Sequence, residues 1–277
     1  MKIKQRGRRP KAGLHQEHFR TGSLRPRTSL FTFAICFLPF LLWLAAGTLL
    51  AGEKTNAEDL LTHAKTLADY DRVLNLDPGL AEAWQGRGVE HFKLGHIKES
   101  IADFDKFLEL VPQQSPHHWQ RGIALYYAGR FADGCRQFEL HQTVNPNDVE
   151  NAVWHFLCMA REAGVEKART ALIPIKGDGR VPMMEVHALF AGQATPEEVL
   201  KAASGDGLPV SRRNRQLFHA HLYLGLYFEA TGDKTKALEH IKKAAGQYRT
   251  DDYMGDVARV HLQLSETTSA PATNSKN

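Results

Sequence analysis

Cysteine is scarce in this chain: three residues in 277, at Cys36, Cys135 and Cys158. Three do not make a disulfide framework, and no Cys-x-x-Cys pair offers a zinc or redox site. A Gly-rich phosphate loop and a Gly-x-Ser-x-Gly elbow are also missing, which removes the common nucleotide and acyl-transfer chemistries. Histidine is plentiful at fourteen, yet no pair has the four-residue spacing that places two ligands on one helical face. His117 and His118 are adjacent, His91 and His96 are five apart, and His219 and His221 point to different faces. Asp103 and Asp105, like Asp251 and Asp252, diverge on a helix and form no matched acid and base. The expectation is therefore no catalytic residue, no metal, no cofactor and no enzyme activity.

What the chain does contain is a period. Residues 81–114 place Trp84, Gly88, Gly95, Ser100, Phe104 and Pro112 at set intervals, and a shift of 34 reads His118, Gly122, Gly129, Gly134, Phe138 and Pro146. Gly88 and Gly122 fall mid-helix, where glycine costs about 1 kcal/mol relative to alanine, so close approach of a paired helix is the expected compensation. Gly95 and Gly129 sit where a helix C-cap wants positive φ, and Pro112 and Pro146 stop the second helix. Ile101, Phe104 and Leu108, then Phe131 and Phe138, recur at helical steps. This pattern is similar to the tetratricopeptide repeat, a helix-turn-helix unit that buries its apolar face by stacking on neighbours. The expected fold is an all-α solenoid with a degenerate middle.

Pro78 lies 34 residues before Pro112, so Ala64 to Leu80 reads as the second helix of an earlier unit, with residues 56–63 as its first. Downstream, Gly225, Gly232, Ala237, Ile241 and Ala244 restore the offsets, and a last helix over residues 251–264 turns Met254, Val257, Val260 and Leu264 inward. Between them the spacing slips. Residues 151–163 and 165–173 still pair, residues 182–192 form another helix, and Thr195-Pro196-Glu197-Glu198 opens a short one with a capping box. Residues 205–211 are the clearest break. About five helix pairs are expected in one solenoid spanning 55–265, followed by a Thr/Ser/Pro/Asn-rich disordered tail, 266–277. Cys135 and Cys158 fall on helices of neighbouring units. A bridge between them is conceivable, with two buried small apolar side chains the preferred reading.

The front of the chain is of another kind. Residues 1–28 carry nine Lys or Arg against Glu17 alone, a net of +8, which leaves −4 for the rest of a chain totalling +4. Residues 30–51 carry no charge and are long enough to span a hydrocarbon core of about 30 Å. The segment 29–52 is thus expected to be a signal-anchor or a cleaved signal, with the basic arm cytoplasmic and the repeats on the extracytoplasmic side or exported. Arg8-Arg9 followed by Pro10 is a poor twin-arginine signal. The membrane flank accounts for the basic arm without nucleic acid.

In a tetratricopeptide array the first helix of each pair lines a concave groove. That register points Gln85, Phe92, Trp119, Ile123, Tyr126, Tyr127 and Arg161 into it, together with Val89, Trp154 and Cys158. Tyr126 and Tyr127 must divide between faces, and Trp84 is assigned to core. Trp, Tyr and Arg together have the composition of an interface hot spot. The carboxylate clamp of chaperone-binding relatives is missing, since Gln85, Val89 and Gln120 stand at its positions. Beyond the generic repeat, Ala152 to Leu157, Tyr223-Leu224-Gly225-Leu226-Tyr227 and Thr231-Gly232-Asp233 resemble the NlpI-type tetratricopeptide lipoproteins of bacterial envelopes. No lipid-attachment cysteine follows the apolar span, which favours a protein anchor. The resemblance implies a non-catalytic adaptor that forms homodimers and gathers an envelope protease or cell-wall enzymes as protein or peptide partners. The alternative is an enzyme or small-ligand-binding domain built on the irregular residues 163–211.

Overall fold

Caps and close contacts delimit the helices of the computed structural model, which describes residues 56–269. The basic arm, the apolar segment and residues 270–277 lie outside the described residues. Helical residues 56–63 (α1) precede α2 (Leu67–Leu76), α3 (Ala81–Lys93), α4 (Ile97–Leu110), α5 (Trp119–Tyr127) and α6 (Phe131–Gln142). There follow α7 (Val149–Ala163), α8 (Val165–Thr170), α9 (Met183–Phe190), α10 (Pro196–Ala203), α11 (Val210–Ala230), α12 (Lys234–Lys242) and α13 (Tyr253–Ser269). Successive helices pack as pairs, so the described residues hold six pairs and a closing helix where about five pairs were expected. The last helix runs on past 265, to Ser269. Thr267 there bonds back to the Leu264 carbonyl.

The mid-helix glycines carry the pairing. A Cβ on Gly88 would stand 2.7 Å from the Phe104 ring, one on Gly122 2.7 Å from Phe138, and one on Gly225 2.6 Å from Ile241. In each unit the aromatic or aliphatic side chain of the second helix lies directly on the first helix's backbone. Gly95 and Gly129 end α3 and α5 at φ of 74° and 72°, a conformation other residues rarely take. In α10, Thr195 and Glu198 close the capping box that their spacing calls for.

A polar ladder repeats with the same period and escaped the sequence reading. Arg87 bonds Asp71 on the preceding α2 at 2.7 Å and grips Asp103 on its own partner α4 with two bonds of 2.7 and 2.8 Å. One unit later Arg121 bonds Asp105 at 2.6 Å and Gln137 at 3.3 Å. One unit later again His155 faces Glu139 at 3.4 Å. Each rung joins a first helix to the second helix before it, so the ladder sets the stacking register of successive pairs.

The core is in two parts. Ala57, Val73, Leu74 and Ala83 form a small cluster with Trp84 at its edge. The main cluster runs from Phe92 through α13. Trp84 is a correction: it is only half-buried, its Nε1 donates to the Pro78 carbonyl at 2.9 Å, and Arg87 lies 4.7 Å over its ring. A tryptophan between two units, capped by a cation, is a lid on the small cluster and not a core anchor.

Candidate partner-binding groove

The array curves far enough for α13 to reach α3, and α13 lies along the concave face. The groove expected to stand open is therefore filled by this chain's own last helix. Its apolar residues Val257, Ala258 and Val260 are fully buried. An amphipathic helix must bury one face, and the first helices of the regular units supply the matching surface.

Tyr253 enters first. Its ring stacks on Phe92 at 5.1 Å and 21°, and meets Trp119 edge-on at 5.1 Å and 89°. Met254 follows into the wall formed by Trp119, Ile123 and Trp154. Two turns on, His261 Nδ1 accepts from Tyr127 Oη at 3.1 Å, and its Nε2 lies 2.9 Å from Glu229. Glu229 in turn receives Arg161 at 3.3 Å. Burial alone would raise the Glu229 carboxyl, but His261 and Arg161 hold it below its ordinary range. This chain of Tyr127, His261, Glu229 and Arg161 ties α5, α13, α11 and α7 together.

Six of the seven groove residues thus converge on this helix or on the end of α11, though at different depths. Phe92, Ile123 and Tyr126 are buried, Trp119 and Tyr127 are half-buried beneath α13, and the Arg161 side chain remains 48% exposed. The two tyrosines do not divide between inside and outside. Tyr126 packs on Trp154 and Phe131, and Tyr127 on Phe92 and His261, because α13 supplies a second interior for the groove side. Gln85 does something else. Its Oε1 accepts from His118 Nε2 at 2.6 Å while His118 Nδ1 caps α5 by accepting from the Arg121 amide, a link between successive units. Sequence reasoning missed Tyr253, His261 and Glu229. The inward face of the last helix was legible, but not what it faces.

The irregular stretch is anchored by Arg180. Its guanidinium bonds Asp148 and Asp178 at 2.6 Å each and also reaches Glu150, whose other oxygen accepts from Tyr223 at 2.6 Å. Burial would raise the Asp148 and Asp178 carboxyls, but Arg180, with His141 at Asp148, holds both low. His91 and His96 also differ from expectation: the turn at Gly95 brings their Nδ1 atoms to 3.3 Å. Among the described residues, however, no group of three His, Cys, Asp or Glu side chains is placed to hold a metal ion. Cys135 and Cys158 are buried free thiols. Among the described residues no helix is long and apolar enough to cross a membrane.

Paired helices at a 34-residue period, packed through glycine and capped by a closing helix, define a tetratricopeptide-type all-α solenoid. No protein-family model matches the chain. Among solved structures it is similar to a tetratricopeptide repeat protein from Parabacteroides merdae, at 15% identity over 79% of this chain and 84% of that one, TM-score 0.43. It is also similar to yeast Tom70, at 16% identity over 81% and 48% of the two chains, TM-score 0.36.

Proposed function

We propose that this chain is a non-catalytic scaffold, tethered to a membrane or exported across it, whose concave face holds a protein partner. One observation carries the reading: the face of Phe92, Trp119, Tyr127 and Arg161 accommodates a helix, with aromatic stacking at one end and a charged lock at the other. Aromatic and arginine anchors around a desolvated centre are the residues that dominate protein interfaces. The resemblance to NlpI-type lipoproteins directs the choice of partner toward an envelope protease or cell-wall enzyme, and toward a homodimer. Residues 30–51 and the +8 arm before them support the membrane assignment, with the repeats extracytoplasmic.

The test is site-specific photo-crosslinking of the full chain in its native host. The probe replaces Arg161 on the concave side or, as control, Glu109 on the second helix α4. An adduct with an envelope enzyme from position 161 and none from 109 is expected. Adducts from 109 alone, or from neither, would reject the concave-face reading. A reporter fused after Ser269 is expected to be active only if it requires export.

A further inference from the structure

The fit of α13 in the groove is incomplete. Tyr253 Oη is buried with no hydrogen-bond partner among the described residues, and so are Trp154 Nε1 and Asn151 Oδ1. The last two belong to residues lining a cavity of about 40 Å³ beside Met254, whose other walls are Trp119, Ile123, Phe138, Asp148 and Glu150. Trp154 and Asn151 are 1% and 3% exposed, so water in bulk does not serve them. A buried donor and a buried acceptor thus belong to two residues that share this cavity with Met254, whose thioether is a weak acceptor and no donor. The carboxylates beside them are already engaged by Arg180, Tyr223 and His141, so they do not call for a cation.

The connection to α13 is also short and locally held. Asp252 Oδ1 accepts from Thr250 Oγ1 at 2.8 Å and from the Gly255 amide at 3.0 Å, and Arg259 Nη1 donates to the Thr250 carbonyl at 3.0 Å. These bonds lie within residues 250–259 and travel with the helix. Across the groove Tyr127 bonds His261 and Glu229 joins His261 to Arg161, while Arg215 of α11 bonds Asp252 just before the helix at 2.9 Å.

Resting on the scaffold reading above, we propose that α13 is an intramolecular stand-in for a partner helix, and that the groove exchanges the two. The partner segment is an amphipathic helix of a foreign protein with an aromatic anchor followed directly by an amide side chain, glutamine in the place of Met254. Its carbonyl accepts from Trp154 Nε1 and its amino group donates to Asn151 Oδ1, completing two bonds that α13 leaves open. A glutamine is close to methionine in length and fits without displacing the indoles.

Two measurements test this. The first uses fluorescence anisotropy with a labelled peptide of residues 253–269 and a second peptide carrying Met254→Gln. Both are titrated into the full-length wild type and into the double variant Tyr253→Ala, His261→Ala, which loosens the chain's own helix and leaves the groove side chains intact. Saturable binding at least tenfold tighter to the variant than to wild type is expected, with the Gln peptide at least threefold tighter than the Met peptide. No saturable binding to a variant that keeps its helical circular dichroism overturns exchange. Equal affinity of the two peptides overturns the amide assignment, and a variant that instead dimerises by trading α13 between copies overturns the foreign partner. The second is native-state hydrogen exchange on the wild type, which needs no variant. Amides of α13 are expected to exchange at least tenfold faster than those of α7, and equal protection overturns exchange. A crosslink from position 161 alongside failed peptide exchange would leave the scaffold reading intact while removing this one.

Discussion

At the residue scale, the buried polar side chains act as connectors between units. His118 is the clearest case, because both ring nitrogens are used in the neutral form: Nε2–H donates to Gln85 and Nδ1 accepts from the Arg121 amide. Burial pushes its pKa down to about 4 from an ordinary value of 6.5. The folded state therefore binds fewer protons than the unfolded chain, so this contribution is complete above pH 6.5 and is lost as pH falls toward 4. The cost of that protonation is of order 3 kcal/mol. His118→Asn keeps an acceptor at the helix cap and removes the titration. Urea midpoints of wild type and variant should converge between pH 7 and 4, and parallel pH profiles would rule out His118 as the sensitive group. The 34-residue offsets in the sequence revealed Gly88 and Gly122 because a packing constraint of that kind recurs with the repeat. They did not reveal the role of His118, since a histidine's burial depends on Phe104 and Phe107, which fold against it from the previous helix.

At the element scale, helix limits follow local chemistry while element partners do not. Thr195 to Glu198 announces the start of α10 by itself, and the turn before α11 is visible in its glycines and proline. Nothing local announces that the connector between α8 and α9 is fastened to the N-terminus of α7. That fastening is Arg180, held among three carboxylates, of which Asp178 is 5% exposed. Arg180→Met should cost about 2–3 kcal/mol. That is less than the 3–5 typical of breaking a fully buried pair, because the guanidinium keeps 43% exposure. Adding Asp178→Asn should recover part of the loss, as one uncompensated charge is removed. Denaturant melts of the three proteins decide this. A single variant as stable as wild type would mean the connector is held by its apolar contacts alone.

At the scale of the whole molecule, the described residues form a solenoid whose last helix returns to the first regular pair. An open array is stabilised by nearest-neighbour interfaces, so its ends fray independently. Here α13 joins α3 to α12, while α1 and α2 stay outside that closure with a small core of their own. Hydrogen exchange should show α2 opening at a lower free energy than α3, α5 and α7, and the difference should vanish if Trp84 and Arg87 bind the two cores into one unit. Phe92 and Trp119 mark the consequence for function: groove residues by register, they are covered in this state by Tyr253.

The sequence by itself determined the all-helical class, the 34-residue register, the glycine contacts and the caps. Each of these depends on neighbours a fixed number of residues away, and local spacing encodes it. Tertiary structure alone decided that α13 fills the groove, that Tyr126 and Tyr127 are both interior, and that Gln85 bonds across units to His118. Those outcomes depend on how much curvature accumulates over several imperfect units, a sum of small rotations with no signature in any single segment. The apolar stripe of Met254, Val257 and Val260 required a surface to cover it. Only the closing of the superhelix selected Phe92, Trp119 and Tyr127 as that surface.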